Sequence, residues 1–443
     1  MKNKYWADLG ASVVVFLVAL PLCVGVAVAS GVPAELGIVT GVVGGIVVGL
    51  LPGSTMQVSG PAAGLTVLVA DAVGRHGIGA LGVIVLGAGL LQVALGLARC
   101  GRWFRAISPA VVQGMLAGIG LVLIFGQLKP IVVSPVAIAL GLMTVVIMLG
   151  WQRTPLKVVP GMLVGVVVST AVAAVFASDV DKIVVGTLSA DVHLPNLSLL
   201  DTGVIGTAVV FALVASAESM FSAAAVDRMH DGPRTQYNKE LVAQGVGNTI
   251  CGVLGALPMT AVIVRSSANV SAGARTKASR VLHGVWLLVF VVAAPGLLTL
   301  IPVAVLAAVL VHAGWKLLGL GQLLPLWRKD RMEVAVLVLT AGLIVATDLL
   351  TGTIVGLLAA VVKTAWDVSR LSVVVTADGV ALRGNATFLR LPRLLDELER
   401  VDREHVRMDL SEVRHLDQAC GQAIDQWVDE SRRAGRTVEL VGR

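Results

Sequence analysis

Glu218 stands out among the titratable residues because it lies in the middle of an apolar stretch, VVFALVASAESMFSAAAV. A charged side chain at the centre of a membrane costs about 2.5 kcal/mol or more unless it faces a cavity or a partner. Ser222 follows four residues later and shares the helix face of Glu218, with Ser216 and Ser219 close by. This polar patch predicts a site for a proton or a small cation. The alternative is a carboxyl group that the neighbouring hydroxyls satisfy, with a structural role only.

Arg265 is the second such residue, and it directly precedes the short segment SSANVSAG. A guanidinium group is permanently charged, so near the middle of a membrane it favours an anion. Two other roles stay open for Arg265. It could cap the carbonyl groups of a helix end, or it could pair with Glu218.

Two Gly/Ser-rich segments, near 59–72 and near 266–276, are too short and too interrupted to cross a bilayer as regular helices. The first begins within QVSGPAAGLTVLVAD, which Gly60 and Pro61 open. An interrupted backbone is tolerated in lipid only where protein or a water-filled cavity satisfies its polar groups. The N-terminus of a half-helix also favours an anion, by about 0.3–1 kcal/mol. The two segments therefore predict a buried site for a small anion.

The composition of the 443-residue chain is that of a polytopic membrane protein, with 56% hydrophobic residues, 14% charged residues and a mean hydropathy of +0.88. Its net charge of +6 comes from short basic clusters between apolar runs, which argues against nucleic-acid binding. The four cysteines imply no disulfide framework, and the seven histidines lack metal-ligand spacing. Neither a P-loop nor a nucleophile with a nearby base is recognisable. We therefore expect no metal, no cofactor, no catalytic residues and no enzymatic activity.

The apolar runs predict twelve spans of about 20 residues, and the two short segments raise the number of elements to fourteen. The spans are expected near 9–29, 36–52, 78–98, 107–127, 134–151, 158–176, 203–224, 239–256, 280–300, 302–320, 332–347 and 350–368. The short segments are then third and tenth of fourteen. A spacing of seven elements is what two inverted seven-span repeats produce. Gly41, Gly45 and Gly49 recur every four residues and predict a helix face for close packing.

The basic clusters predict the orientation of the chain. With the N-terminus inside, the cytoplasmic loops contain Arg99, Arg102, Arg105, Arg153, Lys157, Arg228, Arg234, Lys239, Arg275, Lys277, Arg280, Arg328, Lys329 and Arg331. Both termini are therefore expected in the cytoplasm, with the spans in the plasma (inner) membrane.

The composition changes after Asp367 and predicts a separate domain. SVVVTADGVALRG indicates a hairpin around Asp378 and Gly379. A helix in LPRLLDELERV, a strand in HVRMDLSEV, a helix that ends at Gly435 and a last strand in RTVELVG follow. The chain should thus contain a transmembrane domain, 1–368, and a small α/β domain, 369–443.

Several stretches resemble the sulfate permease (SulP) family of anion transporters: FLVALPLCVGVAVASGVPAELG, QVSGPAAGLTV, ASAESMFSAAAVDRM with QYNKELVAQGVGN, and VIVRSSANVSAGARTKASRVLHG. The last domain resembles the STAS domain of that family. The resemblance implies a helical membrane protein of fourteen segments in a 7+7 inverted repeat. Its core and gate domains would be like those of uracil permease. It also implies movement of the core against the gate as an elevator, within a homodimer.

The resemblance also assigns site residues by position. The anion site falls on Pro21, Leu22, Ser59, Gly60, Pro61, Ala62, Ala63, Val264, Arg265 and Ser266. Glu218 and Ser222 take the coupling ion, and a Glu at this position favours a proton over sodium. Many relatives have Gln where Leu22 stands, and several have a hydroxyl residue where Val264 stands. Contacts to the substrate are therefore expected to come mainly from the backbone and the helix dipoles.

The expected function is secondary active transport of a small inorganic or carboxylate anion across the lipid bilayer. Bicarbonate and sulfate are the first candidates, with coupling to protons at Glu218 and no cofactor besides the coupling ion, H⁺ or Na⁺. The alternatives are a Na⁺-coupled bicarbonate symporter, an anion exchanger or channel, and a nucleobase permease. Asp417 and Gln418 stand where phosphorylatable STAS domains have an Asp-Ser pair, so phosphorylation is not expected there.

Overall fold

The structure is a computed structural model of the chain. It describes residues 2–102, 108–151, 153–154, 159–177, 179–184, 195–347, 349–376, 379–401 and 403–442. Arg105, Lys157 and Asp378, which the sequence analysis uses, lie outside these ranges. The chain divides into two compact units, Met1–Gly356 and Leu357–Arg443.

The first unit is helical, and helices occur at all twelve predicted spans. Its first half contains α1 (Lys2–Ala29), α2 (Ala34–Val43, continued by a π-helix at Gly44–Val48), α3 (Thr66–His76), α4 (Ile78–Leu97), α5 (Pro109–Val132), α6 (Pro135–Trp151) and α7 (Gly161–Phe176). The second half contains α8 (Thr202–Val226), α9 (Tyr237–Val253), α10 (Ile263–Ser271), α11 (Ala278–Ala293), α12 (Val303–Leu317), α13 (Leu320–Lys329), α14 (Arg331–Ala346) and α15 (Leu349–Val368), the last of which continues into the second unit. Five of these helices are long and apolar enough to cross a membrane by themselves.

Besides shifts of a few residues at other helix ends, the structure differs from the prediction at three places. The span expected at 280–300 is a shorter helix, α11, followed by a 3₁₀-helix at Pro295–Leu300, because Pro295 cannot continue the hydrogen-bonding of an α-helix. The second short segment forms a helix at Ile263–Ser271 rather than at 266–276. Helix α13 occupies residues that were expected to form a basic loop, and its charged residues Arg328 and Lys329 lie in its last turn.

Each short segment begins with a strand of three residues. Strand β1 (Ser59–Pro61) pairs antiparallel with β2 (Met259–Ala261), so that Ser59 lies opposite Ala261 and Pro61 opposite Met259. All six residues are buried. The two segments, about 200 residues apart in the chain, thus meet in the interior of the first unit.

The predicted glycine face of α2 is confirmed as a close helix contact. A Cβ on Gly45 would lie 2.6 Å from Cα of Gly284 in α11, and one on Gly41 would lie 2.6 Å from Sγ of Cys23. On the other side of the bundle, α9 packs on α4, while α5 packs on both α12 and α14.

The second unit contains a mixed sheet with strand order β3-β4-β5-β6. Strand β3 (Leu371–Thr376) is antiparallel to β4 (Gly379–Ala386), and β5 (His405–Leu416) and β6 (Thr437–Val441) continue the sheet in parallel. Helices α16 (Leu391–Glu399) and α17 (Gln418–Arg433) cover it, with Leu394 and Ile424 in the core. Gly435 follows α17 with a φ of 84°, which glycine adopts easily. The predicted hairpin strands, helices and last strand are confirmed.

Candidate functional site

The two short strands bring the starts of two helices together. Ala62 leads from β1 into a 3₁₀-helix at Ala63–Leu65 and then α3, and Val262 leads from β2 into α10. Because the strands are antiparallel, the helices leave the crossing in opposite directions and both N-termini remain near it. The first N–H groups of a helix have no acceptor within the helix and form its positive end. The positive ends of two helices, α3 and α10, therefore lie close together at the β1-β2 pair.

A cavity of about 50 Å³ lies at this place. This is room for roughly one to three water-sized atoms. One wall combines the starts of both half-helices with Glu218, Ser222 and Arg265. The rest of the lining is apolar and comes from the spans α1, α5 and α12, through Leu22, Val26, Leu116, Ala313 and Leu317. The accessible lining is thus mainly apolar, and Glu218, Ser222, Arg265 and the half-helix starts supply its polar groups.

Arg265 is fully buried, and its guanidinium group is only partly satisfied. Nη2 donates to the carbonyl oxygen of Pro61 at 3.4 Å, whereas Nε and Nη1 have no acceptor. The Cys23 thiol lies beside the group. A Cβ on Gly60 would lie 2.1 Å from Nη1, so a side chain there would displace the guanidinium group. Of the two alternative roles, pairing with Glu218 is not seen among the described residues, and the carbonyl that Arg265 contacts belongs to β1 and not to a helix end.

Glu218 reaches the same cavity from α8. Its Oε2 is buried without a hydrogen-bond partner, and the Thr260 hydroxyl of β2 hydrogen-bonds the carboxyl group. A Cβ on Gly64 would lie 2.6 Å from Oε1. The carboxyl group therefore touches both segments of the crossing, and Ser222 lines the cavity beside it, one turn further along α8.

Eight of the twelve residues assigned from the sequence line the cavity: Leu22, Pro61, Ala62, Ala63, Glu218, Ser222, Val264 and Arg265. Pro21, Ser59, Gly60 and Ser266 do not. The Ser266 hydroxyl accepts from the N–H of Val58 at 2.9 Å and donates to the carbonyl of Val262 at 2.7 Å, so it joins the two segments. The Ser59 hydroxyl accepts from Gln244.

The neighbouring serines of α8 also differ in role. Ser219 accepts from the N–H of Ala261, and Ser216 accepts from Gln92 of α4 and faces away from the cavity. Sequence reasoning missed Thr260 and the apolar lining residues other than Leu22. Thr260 could have been found as a lone hydroxyl residue in the run before the second half-helix, whereas Leu116, Ala313 and Leu317 are unremarkable residues in apolar spans.

A second, open cavity of about 1120 Å³ adjoins the first and shares Leu116, Ile263, Val264 and Leu317 with it. Three basic residues, Arg228, Arg234 and Lys316, line this vestibule near the end of α8. The small cavity is therefore approached from one side of the unit, through a space with a surplus of positive charge.

Metal ligation has no support in the described ranges, where no group of three or more His, Cys, Asp or Glu side chains comes together. All four cysteines are free.

The fold and the site define a multi-pass membrane transporter with a cavity at the meeting of two half-helices. The chain belongs to the sulfate permease family, whose profile matches residues 5–135 and 131–340. This is a family of transporters and not of enzymes.

Individual relatives agree with this assignment. The chain is 31% identical to the putative sulfate transporter YvdB of Bacillus subtilis (strain 168), over 81% of this chain and 73% of YvdB. It is 26% identical to the bicarbonate transporter BicA of Synechocystis, over 98% and 88% of the two chains. Among solved structures, the murine anion transporter Slc26a9 in its inward-facing state shares the fold, with a TM-score of 0.76 at 16% identity, over 99% of this chain and 86% of that one.

Proposed function

We propose that the protein is a secondary active transporter that binds a small oxyanion in the 50 Å³ cavity and couples its passage to protons at Glu218. The observation that carries this proposal is the state of Arg265. A guanidinium group that is fully buried, with two nitrogen atoms lacking acceptors, is expensive unless an anion accompanies it. The described residues around the cavity supply no ion pair to Arg265, so a bound anion is the natural partner.

The two half-helices complete the proposed anion site. Their N-terminal N–H groups add hydrogen-bond donors and a positive potential at the small cavity. The small side chains of Ala62 and Ala63 allow an anion to approach the backbone closely. Leu22 and Val264 add apolar surface, in agreement with the expectation that few side chains hydrogen-bond the substrate.

Glu218 would couple proton and anion by charge. An ionised Glu218 in the same cavity repels an anion and offsets the charge of Arg265. A proton removes this repulsion and neutralises the buried Oε2, which lacks a hydrogen-bond partner. Anion and proton are therefore expected to bind together. Sodium could neutralise the carboxylate in the same way, and this remains the alternative.

The route across the membrane follows from the repeat that we propose. Counting α1–α7 and then α8–α12, α14 and α15 gives seven segments in each half. In this count α2 corresponds to α9, and α4 corresponds to α11. The contact of α2 with α11 is then equivalent to the contact of α9 with α4, as an inverted repeat requires. We propose a core of α1–α4 and α8–α11 that moves as an elevator against a gate formed by the other spans, within a homodimer. The basic vestibule would face the cytoplasm, where both termini would also lie.

Sulfate and bicarbonate are the proposed substrates, since they are the anions in the names of the two relatives. Membership of an anion-transporter family leaves the nucleobase alternative without support. The central test is uptake of radiolabelled sulfate and bicarbonate into proteoliposomes, with and without an inwardly directed proton or sodium gradient.

Glu218→Gln is the decisive variant in that assay. It should abolish the dependence of uptake on the pH gradient, whereas Asp71→Asn, which removes a half-exposed carboxylate in α3, should leave it intact. Proton coupling is wrong if Glu218→Gln responds to the pH gradient as the wild type does. A dependence of wild-type uptake on sodium alone would replace the proton by sodium. Currents in planar bilayers above carrier turnover would indicate a channel instead.

A further inference from the structure

Helix α9 contains two buried amide side chains, Gln244 and Asn248, that do not line the cavity. Asn248 is 1% exposed, and its amide side chain hydrogen-bonds both the N–H and the carbonyl group of Met259. Its Nδ2 donates to the Met259 carbonyl at 3.0 Å, and its Oδ1 accepts from the Met259 N–H at 2.7 Å. The same Nδ2 donates to Oε1 of Gln92 at 2.7 Å, which fixes the orientation of the amide. Asn248 is thus attached to β2.

Gln244 is attached to the other strand. It is fully buried, and its Nε2 donates to Oγ of Ser59 at 2.6 Å. It also donates to Oε1 of Glu240 at 2.8 Å, one turn earlier on α9. The carboxylate of Glu240 also accepts from the N–H of Ser54. The acceptor of the Gln244 amide is therefore itself fixed by a hydrogen bond to the backbone.

The spacing of the two amides matches the length of the crossing. Four residues of an α-helix span about 6 Å, and two residues of an antiparallel strand span about 6.8 Å. Met259 is opposite Pro61 at one end of the β1-β2 ladder, and Ser59 is opposite Ala261 at the other end. The side chains of Gln244 and Asn248 therefore reach opposite ends of the same ladder, one on each strand.

The ladder connects these amides to both charged groups of the cavity. The Pro61 carbonyl accepts from Arg265, and the Thr260 hydroxyl, next in the chain to Met259, hydrogen-bonds Glu218. The π-helix that continues α2 also approaches β1: a Cβ on Gly44 would lie 2.6 Å from the carbonyl oxygen of Ser59. Because a side chain at Gly44 would clash with this carbonyl group, none there could hold the strands in place of the Gln244 and Asn248 amides.

We propose that Gln244 and Asn248 are positioning residues that hold β1 and β2 in register and thereby set the distance between the two half-helix N-termini. Their loss lowers the affinity for the anion without removing any group that touches it. This inference rests on the proposed function, because it takes the anion to bind at the crossing.

The test compares Asn248→Ala and Gln244→Ala with the wild type in proteoliposome uptake of sulfate and bicarbonate. The expected result is a KM raised roughly tenfold, as the loss of buried hydrogen bonds suggests, with a Vmax per folded transporter within about threefold of the wild type. Thr249→Val is the matched control, because the Thr249 hydroxyl bonds only the Gly245 carbonyl of its own helix. Its KM should be unchanged. Gel filtration establishes the folded fraction of each variant.

A double-mutant cycle strengthens the test. If Ser59 acts through Gln244, Ser59→Ala and Gln244→Ala should raise KM by no more together than either does alone. An unchanged KM in Gln244→Ala and Asn248→Ala, with uptake by the wild type intact, overturns this inference alone. Should Asn248→Ala not fold, Gln244→Ala decides by itself. Absence of any anion uptake by the wild type overturns the proposed function and this inference together.

Discussion

Gly64 and Glu218 are in direct contact: a β-carbon on Gly64 would lie 2.6 Å from Oε1 of the carboxyl group. Glu218 on α8 therefore rests against the backbone at the start of the third segment, with no side chain between them. If the proposed anion binds in this cavity of about 50 Å³, a charge on Glu218 would act on it at short range. This closeness is what would link proton and anion binding in the proposed function.

Gly64→Ala should abolish or strongly reduce uptake. The added methyl group would force Glu218 away from the crossing, because a contact below 3.0 Å cannot persist. Gly74→Ala is the matched control in the same segment, since a Cβ there meets nothing within 4 Å. Replacing a glycine in a helix by alanine also stabilises the helix by about 1 kcal/mol. Equal uptake rates for the two variants would contradict the contact.

Arg265→Gln should lower kcat/KM for anion uptake by about a hundredfold or more, because it removes the proposed charged hydrogen-bonding partner of the substrate. Arg265→Lys keeps the charge but loses the planar fork of donors, so it should fall between Arg265→Gln and the wild type. Arg275→Gln, which changes an exposed arginine four residues after the end of α10, should transport normally. Normal kinetics in Arg265→Gln would remove this residue from the anion site.

Gly45→Ala tests the contact between α2 and α11. Its methyl group would overlap Cα of Gly284, and overpacking of this kind costs about 1–3 kcal/mol. The expected result is a lower midpoint of thermal unfolding in detergent. Gly126→Ala, whose Cβ meets no atom within 4 Å, should not lower the midpoint.

Asp417 should make the stability of the second unit depend on pH. Partial burial raises the pKa of Asp417, but hydrogen bonds from the N–H groups of Cys420 and Phe388 lower it by more, so the net pKa lies below its usual value. Because its pKa is lower in the folded state, the ionised Asp417 stabilises the fold above the unfolded pKa of about 3.9. This stabilisation is lost as the pH falls through the pKa of the folded state. The Cys420 contact, at 2.8 Å, also caps α17.

Urea unfolding of a 369–443 fragment separates the two roles of Asp417. Asp417→Ala should destabilise the fragment by about 1 kcal/mol at pH 7. Asp417→Asn keeps a capping oxygen and should lose less. Both differences from the wild type should shrink below about pH 4. A constant difference across this range would show that the charge contributes nothing.

The charged residues of the site were predictable because ionisable residues are rare within apolar membrane spans. Glu218 and Arg265 are expensive in an apolar run, and this cost alone predicts a cavity. The start of the second half-helix was placed three residues late, at 266 instead of Ile263. Its position depends on the pairing of Met259–Ala261 with Ser59–Pro61, and no local pattern reports a contact between strands 200 residues apart.

Other features left no readable signal in the sequence. Leu116 and Leu317 face the cavity, yet a leucine that faces lipid looks the same in a sequence. The four-residue spacing of Gln244 and Asn248 puts them on one face of α9, but only the fold gives this face a partner. Helix α13 was missed because Pro325 and the basic residues at its end resemble a loop.

The shared cavity of Arg265 and Glu218 also determines how the membrane potential would act on the proposed cycle. In that cycle the empty site, with Arg265 charged and Glu218 ionised, is neutral. A site loaded with one proton and a monovalent anion is neutral as well, whereas a divalent anion leaves it with one net negative charge. Moving one charge through 100 mV takes about 2.3 kcal/mol. An inside-negative voltage should therefore leave bicarbonate uptake unchanged and oppose the uptake of sulfate, so this one pair of residues would make the transporter sort its substrates by valence.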